Sequence, residues 1–204
     1  MLCDLKNANH VYTHRPVNPE FNVAVLQMAS RVMPIGYDVI DNGPETYEAL
    51  VADVTATGRI RVDRWNSDTS VYADQEVNWA ARAWHDWTHW RHRIPFGLFG
   101  EVDTFYRQAG DLETIYGHGR QFKSFLPILF ADIVGQNIYA YNHGGKFPTD
   151  QRQFYGVWAG EIKDFPKFNG GLVSRDAYMA FAAWATHPYH RAMALISTSP
   201  EAEF

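Results

Sequence analysis

Residues 79–101 read WAARAWHDWTHWRHRIPFGLFGE, a stretch with four tryptophans and three histidines. Because successive residues of an α-helix turn by about 100°, His85, His89 and His92 fall within about 60° of one another on a helix. The other half of the cylinder holds Trp79, Trp84, Trp87 and Trp90. Four indoles are too much apolar area to leave in water, so we expect that half to face the core. The histidines then form a stripe on the opposite face.

The rest of the chain is typical of a mainly α protein. Asn18 before Pro19 predicts a helix start, since asparagine caps helices and proline suits their first position. Asp74 is the expected cap of the helix that carries the tryptophans and histidines. Apolar spacing and glycine or proline breaks predict helices over 19–32, 45–57, 75–93, 98–109, 120–141, 149–162 and 174–186.

A small β element is expected just before the helix that carries the tryptophans and histidines. Residues 59–63 alternate polar and apolar side chains, the period of a half-buried strand. Residues 66–70 have the composition of a turn, and Val71 and Tyr72 are expected to return as a second short strand. The sequence therefore predicts a mainly α (α+β) fold: a multi-helix single domain with one β hairpin.

Length and composition favour one domain over residues 19–204, preceded by an extended N-terminal arm over residues 1–18. Hydrophobic residues make up 46% of the chain and charged residues 20%, which suffices for a core. A net charge of −5 argues against a nucleic-acid partner. Cys3 is the only cysteine, and neither a secretory signal nor a membrane-spanning segment is recognisable, so we expect a soluble cytoplasmic protein with no membrane partner.

Histidines four residues apart on a helix can bind one metal ion together. The segment His85-Asp86-Trp87-Thr88-His89 resembles the His-Glu-x-x-His signature of zincin metallopeptidases, with Asp86 in the position of the glutamate. With the preceding strand and the segment that follows, the resemblance covers residues 59–105 and extends to compact zincins related to phage anti-repressor peptidases. It implies that His85 and His89 bind zinc and that Asp86 polarises a zinc-bound water.

Glu101 is the expected third ligand, because the break at residues 95–100 lets the chain turn back toward His89. The resulting hypothesis is a zinc-binding protein that uses metal-activated water to hydrolyse an amide or ester, with a peptide or protein as the preferred substrate. Asp86 is one methylene shorter than the glutamate of the signature. His92 is predicted either as a further ligand or as a contact to substrate.

Two other functions are compatible with the sequence. The histidines can be a solvated polar face, in which case the aromatic residues serve a non-catalytic interaction or structural protein. A carboxylate-bridged di-iron bundle would combine Asp86 and His89 with the acids Glu101, Asp132 and Glu161, and would hold iron in place of zinc. Neither Asp132 nor Glu161 is followed three residues later by a histidine, which counts against the di-iron bundle. Asp132, Gln136 and Asn137 interrupt the most apolar helix, where they either face the histidine stripe or join two helices.

Overall fold

The computed structural model of the chain describes residues 16–65, 70–142, 144–148, 151 and 154–155. These residues are mainly helical, which confirms the predicted class. Among them, no helix is both long enough and apolar enough to cross a lipid bilayer. Most of the predicted N-terminal arm lies outside the described residues, as do most of the predicted helix over 149–162 and all of that over 174–186.

In the described part of the chain the fold consists of six α-helices, one π-helical turn and two short strands. The strands are β1 (Asp38–Ile40) and β2 (Arg61–Asp63). The π-helical turn, Ala131–Gly135, separates the last two helices. The helices are α1 (Pro19–Val32), α2 (Tyr47–Thr57), α3 (Gln75–His92), α4 (Leu98–Tyr116), α5 (Arg120–Phe130) and α6 (Gln136–Asn142).

Side-chain caps fix the starts of α1 and α3, as the sequence predicts. The Asn18 side chain accepts hydrogen bonds from the backbone N–H groups of Glu20 and Phe21. The Asp74 carboxylate does the same for the first turn of α3. Each cap satisfies backbone donors that have no partner within the helix, so the registers of α1 and α3 are set by local sequence.

The β element differs from the predicted hairpin. Strands β1 and β2 are parallel, with Val39 opposite Val62, and α2 forms the crossover between them. A parallel pair requires such a crossover, which α2 supplies. Val71 and Tyr72 form a buried turn, and the Tyr72 hydroxyl donates to Asp132 on the π-helical turn. Burial of this turn therefore outweighs its preference for a strand.

The sequence predicted that α4 ends at Gly110, but the helix continues to Tyr116. A glycine inside a helix costs only about 1 kcal/mol, and the fully buried Leu112 two residues further on keeps the apolar face against the core. Pro127 lies inside α5, and the long apolar segment changes from α-helix to the π-helical turn four residues later. Burial thus decides where these helices end.

The orientation expected for α3 is only partly correct. Trp84 is 1% exposed, but Trp90 is 36% exposed, and Trp79 and Trp87 are half-buried. His89, expected on the opposite and wetter face, is completely buried. Helix α3 packs against both α1 and α4, so both sides of it are covered. A helix covered on two sides can bury a polar side chain when that side chain has partners.

Candidate metal centre

The candidate site joins two helices across a sharp break in the chain. His85 and His89 lie on successive turns of α3, and Glu101 lies in the first turn of α4. Arg93, the capping residue directly after α3, has a left-handed backbone (φ 56°). Gly97, with φ 122°, lets the chain turn into α4, a backbone conformation that other residues rarely adopt. The break therefore brings Glu101 back beside the two histidines, as predicted.

The donor atoms of these three side chains are spaced as ligands of one ion. The Nε2 atoms of His85 and His89 are 3.1 Å apart. Glu101 places Oε2 3.2 Å from His85 Nε2 and Oε1 3.5 Å from His89 Nε2. Ligands at 2.0–2.1 Å from a tetrahedral ion lie about 3.3–3.4 Å from one another. Within the described part of the chain, this is the one group of three such side chains close enough to share an ion.

The contacts around His89 prepare its Nε2 atom for a ligand role. His89 Nδ1 lies 2.9 Å from the carbonyl oxygen of Ile94, so an Nδ1–H donates to that oxygen. Nε2 then carries the lone pair, and the ring orientation is fixed, as in metal sites where a carbonyl holds the second nitrogen of a ligating histidine. The hydroxyl of the buried Thr104 lies 3.2 Å from the same Nε2.

The charges of His85 and Glu101 depend on each other. Burial alone would lower the pKa of His85, but the Glu101 carboxylate raises it to about 9. Burial alone would raise the pKa of Glu101, but the neighbouring His85 and His89 lower it to about 2. Glu101 Oε2 is buried and, among the described residues, makes no hydrogen bond; His85 contacts it as an ion-pair partner. In the metal-free protein the protonated His85 therefore neutralises this carboxylate, and a bound metal ion would replace that proton.

Asp86, the predicted base, lines the same cavity as His85 and Glu101. Burial raises the pKa of Asp86 to about 6, despite the opposing effect of the neighbouring histidines. A carboxylate with a raised pKa beside a candidate metal is typical of groups that exchange protons near neutral pH. The predicted base therefore shares a cavity lining with two of the three predicted ligands, His85 and Glu101.

His92 is not brought into this group. Its side chain is exposed, and its ring lies edge-on to Trp87 with the centroids 6.2 Å apart. Burial and the nearby Arg107 and Arg91 lower the pKa of His92. It lies outside both the three-residue group and the cavity lining, so His92 is not part of the site we propose.

A cavity of about 1020 Å³ is lined by His85 and Glu101, while the buried His89 lies outside its lining. Asp132 lines it from the π-helical turn, so this acid faces the histidines, one of the two placements predicted for it. Asp132 does not belong to the three-residue group, and Glu161 lies outside the described residues. Sequence reasoning missed Thr104 and Gln108, although they follow Glu101 at the i+3 and i+7 positions of one helical face.

No family model, no curated protein and no solved structure matches this chain. The likeness to zincins therefore stays a prediction based on residues 59–105. The distances, burial and charges of the side chains themselves are the basis for the chemistry of the site.

Proposed function

We propose that His85, His89 and Glu101 bind one zinc ion and that the protein is a zinc-dependent hydrolase. The spacing carries this proposal: the two imidazole Nε2 atoms are 3.1 Å apart, and each lies 3.2–3.5 Å from one of the two oxygens of Glu101. One of the two imidazoles, that of His89, is completely buried. The orientation of the His89 ring by the carbonyl oxygen of Ile94 is a second support.

Two imidazoles and one carboxylate suit zinc and leave a fourth position for water or substrate. The same ligand set also suits iron(II), which is the alternative metal. Zinc is preferred because the distances fit a small tetrahedral ion. Two of the three protein ligands, His85 and Glu101, line a cavity, from which a substrate would have access to the open position of the ion.

Zinc would supply a Lewis acid and lower the pKa of a bound water. Asp86 would accept the proton of that water, since its carboxyl faces the same cavity and titrates near neutral pH. Amide and ester carbonyls are the substrates for this chemistry, and a peptide is our preferred substrate. We retain a cytoplasmic location as a proposal, based on the single cysteine.

Elemental analysis of protein purified without a nickel column tests the proposal. We expect about one zinc per chain in the wild type, and none in the double variant His85→Ala, His89→Ala. His92→Ala is the matched control, because it removes an exposed histidine of the same helix, and it should keep the zinc.

Zinc retained in the double variant would rule out this site. About two irons per chain would favour the di-iron bundle. No metal in any of the three proteins, with all equally folded, would favour the non-catalytic interaction or structural protein.

A further inference from the structure

Gln108 is a buried amide in the wall of the same cavity. It lies on α4, seven residues after Glu101, and is only 1% exposed. Its Nε2 group finds no hydrogen-bond acceptor among the residues that the structure describes, although Gln108 lines the cavity. A buried donor without an acceptor destabilises a fold. A ligand oxygen in the cavity would satisfy Gln108.

The charges around the cavity indicate whether the ligand oxygen that Gln108 binds belongs to a carboxylate or to a neutral carbonyl group. Besides Glu101 and Asp86, the acids Glu45, Asp63 and Asp132 line the cavity. Arg82 is the only lysine or arginine among the described lining residues, and its Nη1 donates to the backbone carbonyls of Asp63 and Trp65. A ligand carboxylate would meet several like charges here. A neutral carbonyl oxygen fits the donor without this repulsion.

The position of Gln108 sets its distance from the metal ligands. Seven residues of α-helix advance by about 10 Å, so Gln108 lies roughly that far along α4 from Glu101. An extended peptide spans about 10 Å with three residues. A peptide bound at the metal therefore has a backbone carbonyl near Gln108 when its chain follows α4.

We propose that Gln108 binds a backbone carbonyl of the substrate, two or three residues from the bond that is cleaved, and that the substrate is an extended peptide without acidic groups in that segment. This inference rests on the proposed zinc site. Gln108 is a substrate-binding residue in this scheme and takes no part in the reaction itself.

Peptidyl hydroxamates test this, because a hydroxamate binds zinc while its peptide arm extends into the cavity. The dissociation constants of acetohydroxamate and of the hydroxamates of acetylglycine, acetyldiglycine and acetyltriglycine are measured on the zinc-loaded protein. We expect a roughly tenfold gain in affinity at the second or third glycine. In Gln108→Leu this gain should disappear, while acetohydroxamate binds as it does to the wild type.

Two further measurements separate binding from a structural role. Gln108→Leu should raise the melting temperature of the ligand-free protein, because leucine removes an unsatisfied buried donor. A carboxylate placed at the position of the distal amide, in a succinyl hydroxamate of matched length, should bind more weakly than the amide. Gln121→Leu, the same change at an exposed position of α5, should leave all affinities unchanged.

If the affinity of the hydroxamates changes with peptide length in the same way in the wild type and in Gln108→Leu, the inference is overturned, although the zinc site is not. A fall in melting temperature in Gln108→Leu, or tighter binding of the carboxylate, would also overturn it. Failure of every hydroxamate, together with the absence of zinc, would instead overturn the proposed function, and this inference with it.

Discussion

Gly100 packs so closely against Pro95 that a Cβ atom on residue 100 would overlap the carbonyl oxygen of Pro95. This contact presses the first turn of α4 against the turn that ends α3. Glu101, the next residue, then reaches His89, with 3.5 Å between Glu101 Oε1 and His89 Nε2. The geometry of the candidate metal centre thus depends on a glycine that is not itself a ligand.

Gly100→Ala should weaken zinc binding at least tenfold and lower the free energy of unfolding by about 1–3 kcal/mol, because the added methyl pushes α4 away from Pro95. Zinc titration with a chromophoric competitor and urea unfolding measure the two effects. Gly110→Ala is the control on the same helix. A Cβ there meets nothing within 4 Å, so it should stabilise by about 0.5–1 kcal/mol and keep full zinc affinity. Unchanged zinc affinity in Gly100→Ala would contradict this account.

Without metal, the stability of the protein should depend on pH through His85 and Glu101. The raised pKa of His85 stabilises the fold fully below about pH 6.5, and this contribution is lost as the pH rises through about 9. The lowered pKa of Glu101 stabilises above about pH 4.5, and this contribution is lost as the pH falls through about 2. Both contributions are fully present between about pH 4.5 and pH 6.5.

In the presence of a chelator, Glu101→Gln should therefore lower the melting temperature more at pH 6 than at pH 9.5, by roughly 5 °C. Glu113→Gln is the matched control, because Glu113 pairs with His118 on the exposed end of α4, where an ion pair contributes little. A Glu101→Gln effect of the same size at both pH values would show that the buried pair does not titrate as described.

Zinc binding should release a proton. His85 binds a proton in the metal-free protein at pH 7.5, since its pKa is raised to about 9, and a ligating imidazole must be neutral. Calorimetric titrations in phosphate and in Tris should differ by the buffer ionisation enthalpy of about one proton per zinc. Identical enthalpies in both buffers for the wild type would be inconsistent with this protonation state.

Asp86→Asn should keep zinc and lose hydrolysis. Asparagine retains the shape of the side chain but cannot accept the proton of a metal-bound water, which should cost about 10²-fold or more in rate. Zinc content and cleavage of fluorescein-labelled casein are the two measurements. Asp103→Asn provides the control, because Asp103 lies outside the cavity lining, near Arg107 on α4. If Asp86→Asn cleaves casein at the wild-type rate, another group is the base.

Arg93→Gly should stabilise the protein by about 1 kcal/mol, because glycine adopts the left-handed backbone of the α3 terminus without strain. The free energy of urea unfolding measures this gain. Arg91→Gly removes an equally exposed arginine two residues earlier, inside the helix, and should destabilise by about 1 kcal/mol. A loss of stability in both variants would mean that the Arg93 side chain holds the turn in place.

Local chemistry makes several features of this protein predictable from its sequence. The caps Asn18 and Asp74 act on backbone donors two or three residues away, so the starts of α1 and α3 can be recognised without knowing the fold. The four-residue interval between His85 and His89 fixes their shared face. The turn before Glu101 follows from proline and glycine at positions 95, 97 and 100.

Contacts between distant segments decide the remaining features. The parallel pairing of β1 with β2 and the burial of Tyr72 against Asp132 join residues 23 and 60 positions apart in the chain, and no local pattern contains them. The sequence by itself determined the starts of α1 and α3, the caps of these two helices and the three candidate ligands, because these follow from backbone geometry over a few residues. Only the tertiary structure decided that His89 is buried, that His92 is excluded and that Gln108 lines the cavity, because burial depends on which helices cover α3 and α4.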